Sequence, residues 1–233
     1  MYGKSVTLEP PCLSMEVKVI SEPVGKQQQE LVWEKSPSQV FWGEIATCNH
    51  AVQLYENDKV FLNTLESFAG AGLIAGDSVI IIATADHLAA LKTRLINQGF
   101  NMHFLVSANR YIALNAEDTL NRFVINERID EGLFMDCVTK VIHRGQKNTG
   151  KVRAFGEMVA VLWQRGLKEA TIELERLWNK LHHKDNFTLF CAYPKNIFNG
   201  DINTSVHAIC SAHDKMIDGA PRPSTEVYYK QIA

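Results

Sequence analysis

The sequence predicts an α/β chain, a three-layer α/β/α sandwich around a mostly parallel central sheet, and three observations carry that expectation. Ser78 to Thr84, SVIIIAT, is a continuous apolar run of strand length, the mark of a central strand covered on both faces. Phe187 to Tyr193, FTLFCAY, is a second such run, stopped by Pro194. Elsewhere strand-like segments alternate with helical patterns, the order expected of a parallel sheet covered by helices.

The elements follow in order. Met1 to Gly43 holds four of the seven prolines and a QQQ run, and its apolar residues keep no sustained period. Residues 1–45 are therefore expected to be a flexible arm, one or two strands laid on the sheet edge, or a partner-binding segment. Val17 to Ile20 and Val40 to Trp42 are its strand seeds, and Trp33, Phe41 and Trp42 suggest that part of it docks. His50 to Glu56 reads as a strand, followed by a helix capped by Asp58 and carrying Val60, Phe61, Leu65 and Phe68. After the strand at Ser78 to Thr84, Leu88 to Leu95 forms an amphipathic helix ending near Gly99. Met102 to Ser107 and Tyr111 to Asn115 read as strands; Glu117 through Phe123 and Asp130 to Ile142 read as helices. The sandwich is assigned to residues 46–217, and residues 218–233 to a short tail.

Arg153 to Trp178 is expected to be two helices broken at Gly166, which fits a left-handed cap. In the first, Val152, Phe155, Val159, Leu162 and Trp163 recur at helical spacing. At about 100° per residue, Arg153, Glu157 and Gln164 share one narrow polar stripe. Such a stripe is either the solvent edge of a core helix or a pocket wall presenting a guanidinium and a carboxylate. In the second helix Leu167, Ala170, Leu174, Leu177, Trp178 and Leu181 form the buried stripe, and Lys168, Glu169, Glu173, Arg176 and Lys180 a solvated face.

Composition excludes several classes. The chain has 233 residues and a net charge of −2, with no Lys/Arg run, so nucleic acid is not an expected direct partner. No apolar stretch approaches the ~20 residues that span a bilayer, and the N-terminus lacks a signal-peptide pattern; a cytoplasmic location without membrane contact is expected. Five scattered cysteines without a CxxC suit reduced thiols.

Chemistry-bearing motifs are few. The order glycine turn, strand, loop, helix in AGLIAGDSVIIIATADHLAALKT resembles the layout of a phosphate-binding loop, with Lys92 and Thr93 as a KT pair. His87 and Leu91 stand where that loop needs glycine, so backbone N–H groups are not free to wrap a phosphate. His207, Cys210 and His213 are spaced i, i+3, i+6, but no fourth metal ligand is evident beside them, and no metal or other cofactor is assigned. No local pattern places Cys191 or Cys137 beside a histidine as a nucleophile would require.

The blocks HAVQLYE, ATADHLAAL, RYIALNAEDTLNRF, RAFGEMVAVLWQRGLKEATIELERLWN and FTLFCAYP, between Cys48 and Lys215, together resemble the MEDS domain family, sensory domains of methanogens and methylotrophs. That resemblance implies a RecA/KaiC-like fold without a functional Walker A loop, and a non-enzymatic signalling role in sensing small, hydrocarbon-like molecules. It also implies a histidine kinase or transcriptional regulator as partner; no such segment follows Lys215, so the signal is expected to pass to a separate protein. Homo-oligomerisation is left open. Matched polar positions are His50, Tyr55, His87, Arg153, Glu157 and Tyr193, with Trp163, Phe155 and Phe190 as apolar wall. One departure is Asn115, where the family pattern carries an aspartate, which puts a carboxylate-dependent role there in question. The competing expectations are a degenerate nucleotide-binding ATPase in which Glu157 activates water, and an assembly module built on the N-terminal arm.

Overall fold

The computed structural model describes residues 33–36, 50–198, 209, 211–219 and 226–230. It is the expected three-layer sandwich. Ten strands alternate with seven α-helices among these residues, and eight strands form one sheet in the order β1-β10-β9-β2-β8-β7-β3-β4. The central six are β2 (His50–Tyr55), β3 (Ser78–Ala83), β4 (Tyr111–Asn115), β7 (Val152–Gly156), β8 (Thr188–Pro194) and β9 (Lys215–Gly219), all mutually parallel. Antiparallel β10 (Glu226–Lys230) and β1 (Trp33–Ser36) extend one edge. A separate hairpin pairs β5 (Val124–Ile125) with β6 (Arg128–Ile129).

Strand alternation divides the core into two layers. From β3, Val79, Ile81 and Ala83 point to one face, where they pack with Phe61, Leu65 and Phe68 of α1 (Asp58–Ala75), Leu91 and Leu95 of α2 (Ala85–Asn97), and Met102 and Leu105 of α3 (Met102–Ser107). Ile80 and Ile82 point to the other, against α4 (Ala116–Leu120), α5 (Glu131–Thr149), α6 (Met158–Gln164) and α7 (Lys168–Asp185).

The structure corrects the sequence reading at four places. Val152 to Gly156 is a buried strand rather than the start of a helix: Val152 and Ala154 face the α5–α7 layer, Arg153 and Phe155 the α1 layer. Arg153 and Glu157 thus lie four residues apart on an extended chain, ~13 Å rather than one helical turn. Two glycines signal this: Gly150, in the left-handed region, ends α5, and Gly156 packs under Trp178, whose ring would lie 3.4 Å from an added Cβ. Met102 to Ser107 is a helix, because Asn101 accepts a cap bond from the Phe104 N–H and because Met102 and Leu105, three apart, are the buried pair while Phe104 and Val106 are exposed. The cap of α1 is Asn57, which accepts from the Val60 N–H, and Asp58 is the first helical residue. Past Lys215 the chain is not only a tail, since β9 and β10 complete the sheet. The edge strand contributed by the N-terminal segment is Trp33–Ser36; the seeds at Val17 to Ile20 and Val40 to Trp42 lie outside the described residues.

Candidate functional site

Two clusters of polar side chains stand out. The first lies at the carboxyl ends of the strands. Strand β3 hands the chain to α2 on one face, and its neighbour β7 hands it to α6 on the other, so the gap between them is a topological switch point, the place where open α/β sheets take their ligands.

Glu157 fills that gap. It is the single residue between β7 and α6, its own N–H bonds to the carbonyl of Ile82, and its Oε2 accepts from the Thr84 N–H at 2.9 Å. Its Oε1 lies 2.7 Å from Nδ1 of His87, in the first turn of α2. The other ring nitrogen of His87 lies 3.9 Å from Oδ1 of the exposed Asp58. Burial opposes the charged form of His87, but the hydrogen bond and charge of Glu157, with Asp58 and Asp86, outweigh it and hold the imidazole above its ordinary value. Beneath lies an aromatic floor: Phe61 stacks on Tyr55 at 4.8 Å and meets His87 edge-on at 4.8 Å. Burial, then the carboxylates of Glu157 and Asp58, push the Tyr55 phenol well up.

The connections around this point are short and acidic. Glu56 and Asn57 alone join β2 to α1, Thr84 alone joins β3 to α2, and Glu157 alone joins β7 to α6. None is glycine, and a chain this short has no room to wrap a phosphate with successive N–H groups. Lys92 and Thr93 are exposed halfway along α2, away from its start, so they do not form the KT pair of such a loop.

Other expected residues lie elsewhere. Arg153 forms a buried ion pair with Asp77, Nε to Oδ2 2.7 Å, and lies against Gly72 of α1. Trp163 donates its indole N–H to the carbonyl of Ile197 at 3.0 Å and packs on Phe198. Asn115 accepts from the Asp118 N–H at 3.0 Å as the N-cap of α4, a task that asparagine and aspartate perform about equally.

The second cluster lies between α7 and the sheet and takes in His50 and Tyr193. His50 opens β2, Cys191 lies in β8 opposite Val52, Glu175 projects from α7, and His213 lies two residues before β9. All four are buried, and their ligand-capable atoms lie within 4.8 Å of one another. His50 Nε2 is 3.4 Å from Cys191 Sγ and 3.7 Å from Glu175 Oε2; His213 Nε2 is 3.5 Å from the same oxygen. Tyr193 donates its hydroxyl to Glu175 Oε1. Burial drives these groups toward their neutral forms: His50 is lowered, further by His213, while Glu175, Cys191 and Tyr193 are raised. Sequence reasoning had no local pattern placing Cys191 near a histidine, because only the parallel register of β2 and β8 brings them together. His207 and Cys210 lie outside the described residues.

Comparison with known proteins adds a family and a fold. Residues 49–214 match the profile of the MEthanogen/methylotroph, DcmR Sensory domain. Among solved structures, the KaiC-like protein PH0186 of Pyrococcus horikoshii OT3 superposes with a TM-score of 0.50 at 8% identity, over 79% of this chain and 80% of that one. Protein PH0250 of the same organism gives 0.51 at 10% identity, over 78% and 86% respectively. The fold is therefore RecA/KaiC-like. No curated protein matches.

Proposed function

Because the chain belongs to the MEDS family of sensory domains, we propose that it is a non-enzymatic sensor that takes up a small molecule at the β3/β7 switch point and acts through a kinase or regulator. The observation that carries this reading is the Glu157–His87 pair: a buried carboxylate fixes one imidazole nitrogen and leaves the other turned toward Asp58 at the surface. A ligand with a small polar group engages His87 Nε2 and Asp58, and its apolar part lies along the Tyr55–Phe61 edge. Binding there pulls on α1 through Asp58 and on α2 through His87, two helices whose relative placement a partner can read.

An ATPase reading, which the shared fold invites, is opposed by the one- and two-residue connections and by the acidic surroundings of Glu56, Asp58, Asp86 and Glu157, which repel a triphosphate.

The test is thermal unfolding with Mg-ATP and with a panel of small apolar and halogenated compounds. A ligand at 100 times its Kd adds about 2.7 kcal/mol, a rise of roughly 5–10 °C for a chain of this size. The expected result is a rise with a small organic compound that Glu157→Gln reduces, and none with ATP. A rise with Mg-ATP accompanied by turnover that Glu157→Gln abolishes sinks the sensor reading.

A further inference from the structure

The geometry points to a structural zinc site formed by His50, Glu175, Cys191 and His213, independent of the carboxyl-end site and closed to solvent.

Donor chemistry supports it first. Asn179 gives its N–H to the carbonyl of Ala212 at 2.7 Å, so its oxygen faces His50 Nδ1, also at 2.7 Å, and that nitrogen carries the proton. His213 Nδ1 lies 2.6 Å from the carbonyl of Ile209 and is likewise the protonated nitrogen. In the neutral imidazoles both Nε2 atoms are therefore lone-pair acceptors turned into the cluster, beside Glu175 Oε2. Among the described residues the cluster offers only the weak S–H of Cys191 and, when Glu175 is neutral, its one carboxyl proton. His213 Nε2, fully buried, has no hydrogen-bond partner among the described residues. A buried polar atom so placed is costly unless something satisfies it, and a cation at the centre satisfies all four groups at once.

Geometry supports it second. Bond lengths of about 2.0–2.2 Å to nitrogen or oxygen and about 2.3 Å to sulfur put the donors of a tetrahedral zinc ion about 3.3–3.6 Å apart. Four of the six separations between these atoms, 3.4, 3.5, 3.7 and 4.0 Å, lie close to those edges, and the other two are within 4.8 Å, so small side-chain shifts close the shell. Charge closes the argument. A thiolate, a carboxylate and two neutral imidazoles around a divalent ion sum to zero, so loading a cluster of neutral groups releases the thiol proton and the carboxyl proton of Glu175 and leaves no uncompensated buried charge. Hard cations such as magnesium, which prefer all-oxygen shells, do not suit this set. Asn179, the Ile209 carbonyl and Tyr193 form the outer shell that orients the ligands. Since the four ligands come from β2, α7, β8 and the residue group leading into β9, the ion fastens β9, the last of the parallel strands, to its neighbours in the sheet.

The test uses the full chain, purified without chelator, with zinc counted by mass spectrometry; about one ion per chain is expected. After chelation and refilling with cobalt(II), the intense visible bands of four-coordinate cobalt and a thiolate charge-transfer band should appear. Cys191→Ser should abolish the thiolate band, whereas Cys48→Ser, Cys137→Ser and Cys210→Ser should keep it. Asn179→Ala should weaken zinc binding by roughly 10- to 100-fold while leaving a four-coordinate spectrum. Failure to take up stoichiometric zinc or cobalt, or a thiolate band that survives Cys191→Ser, overturns the site. X-ray absorption on the wild-type zinc protein guards against a misfolded variant: one sulfur and three nitrogen or oxygen donors are required, and any other shell overturns the assignment.

Discussion

Nδ1 of His87 lies 2.7 Å from Oε1 of Glu157, tying the first turn of α2 to the end of β7 across the gap where the two strands send the chain to opposite faces. The pair is strongest when His87 is charged. Because its folded pKa is raised, its contribution is full below the unfolded value of about 6.5 and is lost as the pH rises through the folded one. NMR titration should find His87 titrating above 6.5, and Glu157→Gln should bring that value down. Titration at or below the free value in the wild type refutes an ionic pair.

The Arg153–Asp77 pair has a different task, holding the end of α1 against β7. Arg153→Met leaves a buried carboxylate uncompensated and should cost about 3–5 kcal/mol in denaturant unfolding. Joint replacement by Arg153→Met and Asp77→Leu should recover much of that loss. Equal losses in the single and double variants would show that the charge pair is not the cause.

Gly72 gives Arg153 its room. An alanine Cβ there would lie 2.8 Å from Arg153 Cδ and 2.9 Å from Val79 Cγ2, both held in the core. Overpacking of this kind costs about 1–3 kcal/mol, against a gain in helix propensity of ~1 kcal/mol. Gly70→Ala, two residues away, meets first the end of the Gln98 side chain at 3.2 Å, which can move. Melting curves should therefore show Gly72→Ala destabilised and Gly70→Ala unchanged or slightly stabilised; the reverse order refutes the packing argument.

Asn115 separates a capping task from a ligand-binding one. As a cap, Asn115→Asp should alter stability by under about 0.5 kcal/mol, and Asn115→Ala should cost about 0.5–2 kcal/mol. If Asn115→Asp instead creates a ligand response absent from the wild type, the family's carboxylate belongs to the binding site.

What the sequence disclosed follows from the range of the interactions involved. Ser78 to Thr84 was legible because a strand buried on both faces needs an unbroken apolar run, and Tyr111 to Asn115 and Asp130 to Ile142 showed their own periods. Val152 to Gly156 was not, since Arg153 breaks its apolar run and its five residues also fit one turn of a buried helix. The strands after Lys215 escaped notice because β10 takes its place by pairing, not by an apolar run of its own. Of the candidate residues, Glu157, His87 and Tyr55 fall at one end of the sheet; the sequence places Glu157 within a helix, and only the turn from β7 to α6 brings it to that end. The gathering of His50, Glu175, Cys191 and His213 depends on the register of β2 with β8 and β9, which no local spacing encodes.

The pairing of β1 with β10 also has a mechanical meaning. Trp33 lies opposite Lys230 and Ser36 opposite Val227, so tension applied before Trp33 and after Lys230 acts on the same end of the ladder and opens it rung by rung instead of shearing it. Under load between the two flanks, this edge peels away at low force, and the six parallel strands behind it are spared.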